Sequence, residues 1–417
     1  MTAADEDSIE GSQARSGAES LHKSLEPLLA SKKIVVFCGS GGVGKTSIAA
    51  ASALAAAATM PGKVLVLTID PAKRLADSLG LKEIGNIETR VPQTAFTAAG
   101  LEPRGELWAA MLDTKESWDA LILRHASGPE AASRILQNRL YHNVTARFAQ
   151  SHDYIAMERL FEVHESGRYD LIVIDTPPTR NALDFLDAPA RMAEFFGGRL
   201  LRWLTLPYRV GGKRGARWLN YASKPFYQVA DRLLGNQFLE DIAEFFLSFQ
   251  EMYEAFVTRA RAVERLLHDK RTTFAVVTTL EDGPLHEAEL FCAELEKRNL
   301  HLGCLVINKV LPSYLLSHSG VQAADKLSFN AESVAERLAA TCGSPFDDTA
   351  RTIRVLTTIG ESFRNFTVVA RRESELRSHL GRHGEVLIEV PAFEVDIADI
   401  DGLARLAEFL LPIERTV

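Results

Sequence analysis

The stretch from Ile34 to Ser47 restricts the fold of this chain more than any other. Four apolar, mostly β-branched residues, Ile34-Val35-Val36-Phe37, run through Cys38 into Gly39-Ser40-Gly41-Gly42-Val43-Gly44-Lys45-Thr46-Ser47. An alanine-rich segment, Ile48 to Met60, follows and reads as helix. Strand, glycine loop and helix in that order form the setting of a phosphate-binding loop. The glycines let the backbone turn inward so that successive N–H groups converge on one point. That point lies at a helix N-terminus, where unpaired donors and the helix dipole favour an anion. Lys45 adds a point charge for the β- and γ-phosphates, and the Thr46 hydroxyl can ligate Mg²⁺. A nucleoside triphosphate is the expected ligand.

Downstream, Pro61-Gly62 turns the chain into Lys63 to Ile69, a short apolar strand ending at Asp70, and a helix opened by Pro71 is expected over 71–79. A further apolar piece runs from Leu107 to Asp113, and helical patterning continues to about Glu165. Tyr169 to Asp175 is an apolar strand ending in aspartate, followed by Thr176-Pro177-Pro178-Thr179. This is the form of a Walker B strand and its switch loop, with Asp175 placed to hold Mg²⁺ directly or through water. After a long helical region over 189–268, strands are expected at 273–278, 302–308 and 386–390. Helices are expected at 284–299, through most of 313–380, and near 401–411. Strands alternating with helices imply an α/β fold with a mostly parallel, doubly wound sheet and its ligand at the carboxyl ends of the strands. The 189–268 region reads as an inserted α-helical subdomain shared with 114–165, within a single P-loop domain spanning 21–417.

Composition narrows the remaining choices. A net charge of −8 gives no general reason to expect a nucleic-acid partner. No apolar run reaches the roughly 20 residues of a membrane span. Residues 1–20 are polar, without the basic-then-apolar order of a signal peptide, and read as a disordered tail on a cytoplasmic protein. The four cysteines, Cys38, Cys292, Cys304 and Cys342, are scattered, which fits reduced thiols rather than a disulfide framework or structural zinc.

Taken together, Gly39 to Thr46, Thr68-Ile69-Asp70-Pro71-Ala72 and Asp175 to Thr179 resemble the arsenite-pump and tail-anchored-protein-targeting ATPases. These are deviant-Walker relatives of the septum-positioning and partition ATPases. The likeness covers about 33–312 and about 386–411. It implies that Asp70 positions the attacking water, that Asp77 helps hold the first switch, and that Thr46, Asp70 and Asp175 serve Mg²⁺. It also implies an adenine pocket near Asn308 and in the segment holding Pro391 and Phe393. Asp70 can equally cap the helix that Pro71 opens, and both roles are compatible. Asn308-Lys309-Val310-Leu311 begins like the guanine-reading Asn-Lys-x-Asp, but Leu311 stands where the aspartate would be. ATP is therefore expected over GTP.

Four departures from the family pattern bear on mechanism. Ser40 stands where relatives carry a lysine that reaches the nucleotide of a partner subunit. Lys73-Arg74 and Arg180 add cations beside the two switches. Paired zinc-binding cysteines and a thiol cluster for arsenic are both missing. Arg180 is the preferred substitute for the missing lysine, against the alternative of an i,i+4 salt bridge to Asp184.

The 189–268 region holds eight phenylalanines and two tryptophans. From Phe238 to Leu267 its apolar residues recur on one helical face, as Phe245, Phe249, Tyr253, Phe256 and Val263 illustrate. This stripe reads either as the core of a helical subdomain or as a groove for a client helix. Between Arg191 and Arg217 seven basic residues accompany one acidic residue, with aromatics interleaved. The stretch suits an anionic membrane surface or an acidic partner, or a plain solvated face. The resemblance thus implies a Mg-dependent ATPase acting as a homodimer or as a heterodimer with a related ATPase. A hydrophobic client helix or membrane protein is the first expected partner, and peripheral membrane contact follows from the basic stretch. A soluble energising subunit of a membrane anion pump and a regulatory ATPase switch are the alternatives.

Overall fold

The computed structural model describes residues 24–69, 74–138, 141–142, 149–177, 187–188, 191, 194, 252, 255, 257–344, 346–380, 384–413 and 415. The expectations for 1–20, for Asp70, Lys73, Arg180 and Asp184, and for most of 189–268 lie outside them.

Eight strands form one sheet: β1 Ile34–Cys38, β2 Lys63–Thr68, β3 Thr89–Arg90, β4 Glu106–Met111, β5 Leu171–Asp175, β6 Thr272–Thr278, β7 Leu302–Val310 and β8 Val386–Pro391. Their order is β3-β4-β2-β5-β1-β6-β7-β8. Every pairing is parallel except β3 with β4. The chain steps outward from β1 to β2 and β4, returns to place β5 between β2 and β1, then continues to the other side through β6, β7 and β8. β1 is therefore the strand at which the winding reverses, and a ligand crevice forms outside the carboxyl ends of strands at such a point.

β1 is buried along its whole length because both faces of the sheet are covered. Ile34, Val36 and Cys38 point to one apolar cluster, and Val35 and Phe37 to the other. Helix α2, Lys45–Thr59, follows the loop, with α1, Glu26–Ser31, preceding β1. Its run of alanines from Ala49 to Ala57 is almost wholly buried in the second cluster, together with Leu403, Leu406 and Leu410 of the closing helix Ile400–Leu410. A helix hydrophobic all round is one enclosed between layers, and small side chains let it lie close to the sheet.

The short helices α3, Arg74–Ser78, and α4, Gln93–Ala98, flank the same side. The other face carries α5 Thr114–His125, α6 Pro129–Gln137, α7 Ala149–Glu165 and α8 Asp282–Lys297. Residues 257–267 are helical, and Val263, Leu266 and Leu267 join Trp118, Leu121 and Tyr154 in the first cluster. The described end of the 189–268 region is thus packed as core. Helices α9 His318–Phe329, α10 Ala331–Cys342 and α11 Thr349–Leu380 lie between β7 and β8, and α12, Ile400–Leu410, closes the fold.

Three elements had no clear sequence signal. α1 is one short turn-and-a-half whose Leu25, Leu28 and Leu29 are buried, and the Leu25 N–H donates to the Leu410 carbonyl at 2.9 Å. β3 is a two-residue antiparallel edge strand, too short for any alternation to be legible. α4 is six residues long and buries only Phe96.

Candidate functional site

The loop after β1 is held open by glycines that other residues could not replace. Gly39 has φ 150°, and a Cβ there would overlap the Val277 carbonyl oxygen on β6. Gly44 has φ 92° as the cap of α2, and a Cβ there would strike the Asn308 amide. Gly41 and Gly42 are exposed, whereas Val43 is buried and anchors the loop in the core. The Lys45 side chain folds back across the loop, its Nζ donating to the Ser40 carbonyl at 3.0 Å. Thr46 and Ser47, both half-buried, form the first turn of α2.

The sheet register brings the second half of the site alongside. Asp175 at the end of β5 pairs in register with Phe37 of β1 and with Thr68 of β2. Its Oδ2 accepts from the Thr46 hydroxyl at 2.7 Å and from the Thr68 hydroxyl at 3.0 Å. The carboxylate is fully buried at the foot of the loop. The Thr176 hydroxyl donates to the Phe37 carbonyl at 2.8 Å and ties the chain after β5 to β1. On the other side of Asp175 the Ile69 N–H donates to the Asp175 carbonyl at 3.0 Å, so the chain stays tied to β5 one residue beyond β2. Asp77 lies exposed on α3.

The third wall comes from β7 and β8. Asn308 is buried, and its Nδ2 donates to the Val43 carbonyl at 2.8 Å. Lys309 donates through Nζ to the Gly42 carbonyl at 2.9 Å. Pro391 at the end of β8 pairs with Val310, and the Ala392 N–H donates to the Val310 carbonyl at 3.0 Å. Phe393 packs edge-on against Phe409 with ring centroids 5.8 Å apart. Lys45, Thr46, Asp175 and Asn308 therefore converge on one rim, with Pro391 and Phe393 at its far side.

Ser40 donates its hydroxyl to Glu287 of α8, a contact sequence inspection did not anticipate. Thr68 was also missed as a site residue: its only signal is a hydroxyl at the end of β2, and nothing but the register places it against Asp175. Cys38, beside the loop, is a neutral thiol, because burial pushes its pKa up to about 12. Burial likewise raises Cys292 to about 12 and pushes Cys304 upward.

An oxygen-only set of a threonine hydroxyl and a carboxylate beside a phosphate loop suits a hard divalent cation that completes its shell with phosphate and water. Comparison with known proteins settles the family. The family model described as anion-transporting ATPase matches residues 32–328. The chain belongs to the anion-transporting ATPase family. The protein named arsenical pump-driving ATPase 2 from Aquifex aeolicus (strain VF5) is 27% identical over 286 residues, which cover 67% of this chain and 81% of that one. The arsenical pump-driving ATPase of Prosthecochloris vibrioformis is 29% identical over 298 residues, covering 70% of this chain and 65% of its own length. ATPase GET3 of Kluyveromyces lactis is 22% identical over 280 residues, 66% of this chain and 70% of that one. As a member of the anion-transporting ATPase family, the protein hydrolyses ATP, and its α/β fold with a mostly parallel sheet is the family's P-loop fold. Among the described residues no helix is long and apolar enough to cross a membrane.

Proposed function

We propose that this protein is a Mg-dependent ATPase whose nucleotide cycle opens and closes a dimer and alters the exposure of a helical subdomain that binds a hydrophobic client. The observation that carries the chemistry is the 2.7 Å hydrogen bond from the Thr46 hydroxyl to the Asp175 carboxylate at the foot of the glycine loop. It brings together a hydroxyl and a carboxylate of the kind that would hold Mg²⁺ beside the loop, the rest of the octahedral shell being left to phosphate and water.

Thr46 and Asp175 would hold Mg²⁺, which would supply positive charge against the charge that develops on the transferring phosphate. The chain's own groups do the rest. Gly39 to Ser47 cradle the phosphates, with the Lys45 ammonium released from the Ser40 carbonyl onto phosphate oxygens. Asp70 orients the attacking water and serves Mg²⁺ together with Thr46 and Asp175. Phosphoryl transfer needs little covalent help, so a positioned carboxylate is enough. Asn308 favours adenine for a reason of donor and acceptor parity. One of its two N–H donors is committed to the Val43 carbonyl, which leaves the Oδ1 acceptor and one N–H for a base, the pair that an adenine edge takes. An acceptor suits the adenine amino group and opposes the guanine carbonyl. Pro391 and Phe393 close the base side.

Within one ATPase unit spanning 21–417, the helical subdomain comes from about 114–165 and 189–268. The packing of Val263, Leu266 and Leu267 with Trp118, Leu121 and Tyr154 supports that grouping. The aromatic residues of 189–256 supply the surface for a client helix, and the basic stretch from Arg191 to Arg217 supplies contact with an anionic membrane. Arg180 takes the part of the lysine replaced by Ser40.

The names of the pump-driving relatives raise the alternative of an arsenic-handling subunit. Thiolate ligands would be needed for that. Among the described residues, Cys38, Cys292 and Cys304 are buried thiols, Cys342 is a single exposed one, and no group of three or more His, Cys, Asp and Glu residues is gathered for a metal. The client-binding reading is therefore preferred.

Asp70→Asn tests the catalytic assignment. It is expected to bind ATP within about threefold of native and to turn over at least about 100-fold more slowly, the scale of a lost general base or water-orienting group. Native turnover in that variant removes Asp70 from the role.

A further inference from the structure

Two successive residues at the end of β7 grip two successive carbonyls of the glycine loop. Asn308 Nδ2 holds Val43 O at 2.8 Å, and Lys309 Nζ holds Gly42 O at 2.9 Å. Lys309 reaches Gly42 from an unusual backbone. Its φ is 59°, one of only two positive values at non-glycine residues among those described. It sits where the β7–β8 ladder loses register between Ile307 and Val310. A bulge of this kind re-aims a side chain, and a left-handed backbone at a long side chain is kept only where its surroundings hold it.

The two grips matter because of peptide geometry. A trans peptide is planar, so its C=O and the N–H of the next residue point in opposite directions. Holding Gly42 O and Val43 O outward therefore aims the N–H groups of Val43 and Gly44 inward, toward the point where the loop's donors converge. Val43 is anchored by its buried side chain and by Asn308, whereas Gly42 is exposed, its φ is 81°, and no atom beyond its chain neighbours lies within 4 Å of where a Cβ would be, so the hold on its carbonyl comes from Lys309.

We propose that Lys309 is a positioning residue: a strut from β7 that holds the Gly42 carbonyl and so keeps the Val43 N–H aimed at the β-phosphate. This rests on the reading of Gly39 to Ser47 as the phosphate cradle. It gives Lys309 a role apart from base recognition, and it ties the strand that carries Asn308 to the order of the phosphate loop.

The test uses the full-length protein and equilibrium binding of ATP, ADP and AMP. Lys309→Gly removes the ammonium while suiting the left-handed backbone, so the fold is retained. It is expected to weaken ATP and ADP roughly 5- to 10-fold, in keeping with a charged hydrogen bond acting at one remove. AMP, which has no β-phosphate, is expected to bind within about twofold of native by the same reasoning. Lys309→Arg, which keeps a cationic donor, is expected to restore most of the loss. KM for ATP should rise more than kcat falls. Native ATP affinity in Lys309→Gly, or equal weakening of AMP and ATP, overturns the strut. Lys45→Ala is run alongside: if it also binds ATP like native protein, the cradle reading itself fails. If Lys45→Ala loses ATP while Lys309→Gly does not, only the strut fails.

Discussion

Asp175→Asn is expected to lower ATP turnover by about 10²–10³-fold and to shift the Mg²⁺ dependence to higher concentration. The substitution keeps the size of the side chain and an oxygen to accept from Thr46 and Thr68, so the two hydrogen bonds at 2.7 and 3.0 Å survive. What it removes is the negative charge at the foot of the loop. A cation's stabilisation of transferring phosphate is worth several kcal/mol, and 3–4 kcal/mol corresponds to about 10²–10³ in rate. Thermal stability should change little, because no donor loses its acceptor. Steady-state turnover over a Mg²⁺ titration measures both effects. An unchanged Mg²⁺ midpoint would remove Asp175 from the metal site.

Gly39→Ala carries the largest expected loss of stability. Gly39 has φ 150°, where an L side chain is strained, and the added methyl would meet the backbone carbonyl of Val277 on the adjacent strand. Neither β1 nor β6 can yield, since Phe37, Cys38, Val276 and Val277 are all buried. Backbone strain of about 1–3 kcal/mol and overpacking of about 1–3 kcal/mol add to roughly 2–6 kcal/mol. At about 2 cal/mol/K of unfolding entropy per residue, a chain this long converts each kcal/mol into roughly 1 °C, so a fall of about 2–7 °C is expected. ATP binding should fall with it, because relief of the clash displaces the loop. Calorimetry with and without ATP separates the two. A variant as stable as native would mean that the loop is not pinned to β6.

The chemistry of this site was legible in the sequence where it is carried by short, contiguous patterns. Ile34 to Thr46 specifies a strand, a loop and a helix in one run, and Leu171 to Asp175 specifies a strand with its carboxylate at the working end. Both sit where a parallel sheet places its ligand. Residues whose roles depend on register between distant strands were not legible. Thr68 meets Asp175 across 107 positions of chain, and Lys309 meets Gly42 across 267. Asn308 shows the same limit: the sequence suggests a base-facing amide, whereas its hold on Val43 is a tertiary contact that no local pattern carries.

Short elements failed for a different reason. α1 and β3 present too few residues for a period to emerge, and they form because Leu25, Leu28 and Leu29 find cover against α12 and because β4 offers an edge. The helical segment over 257–267 was legible from its apolar stripe, yet only packing against Trp118 and Tyr154 tells that Val263, Leu266 and Leu267 are core. An apolar face reads the same in sequence whether it meets the protein's own helices or a client.

The central claim is that ATP is bound and hydrolysed at the loop between β1 and α2. ATP turnover by the purified protein, native against Lys45→Ala, tests it most directly. Lys45 is buried and its ammonium lies 3.0 Å from the Ser40 carbonyl, inside the loop. The account predicts Mg²⁺-dependent release of phosphate by the native protein and a fall of at least about 100-fold in Lys45→Ala, the scale of one lost electrostatic contact to the transferring group. Turnover in Lys45→Ala equal to native would place the ATPase site elsewhere and contradict it.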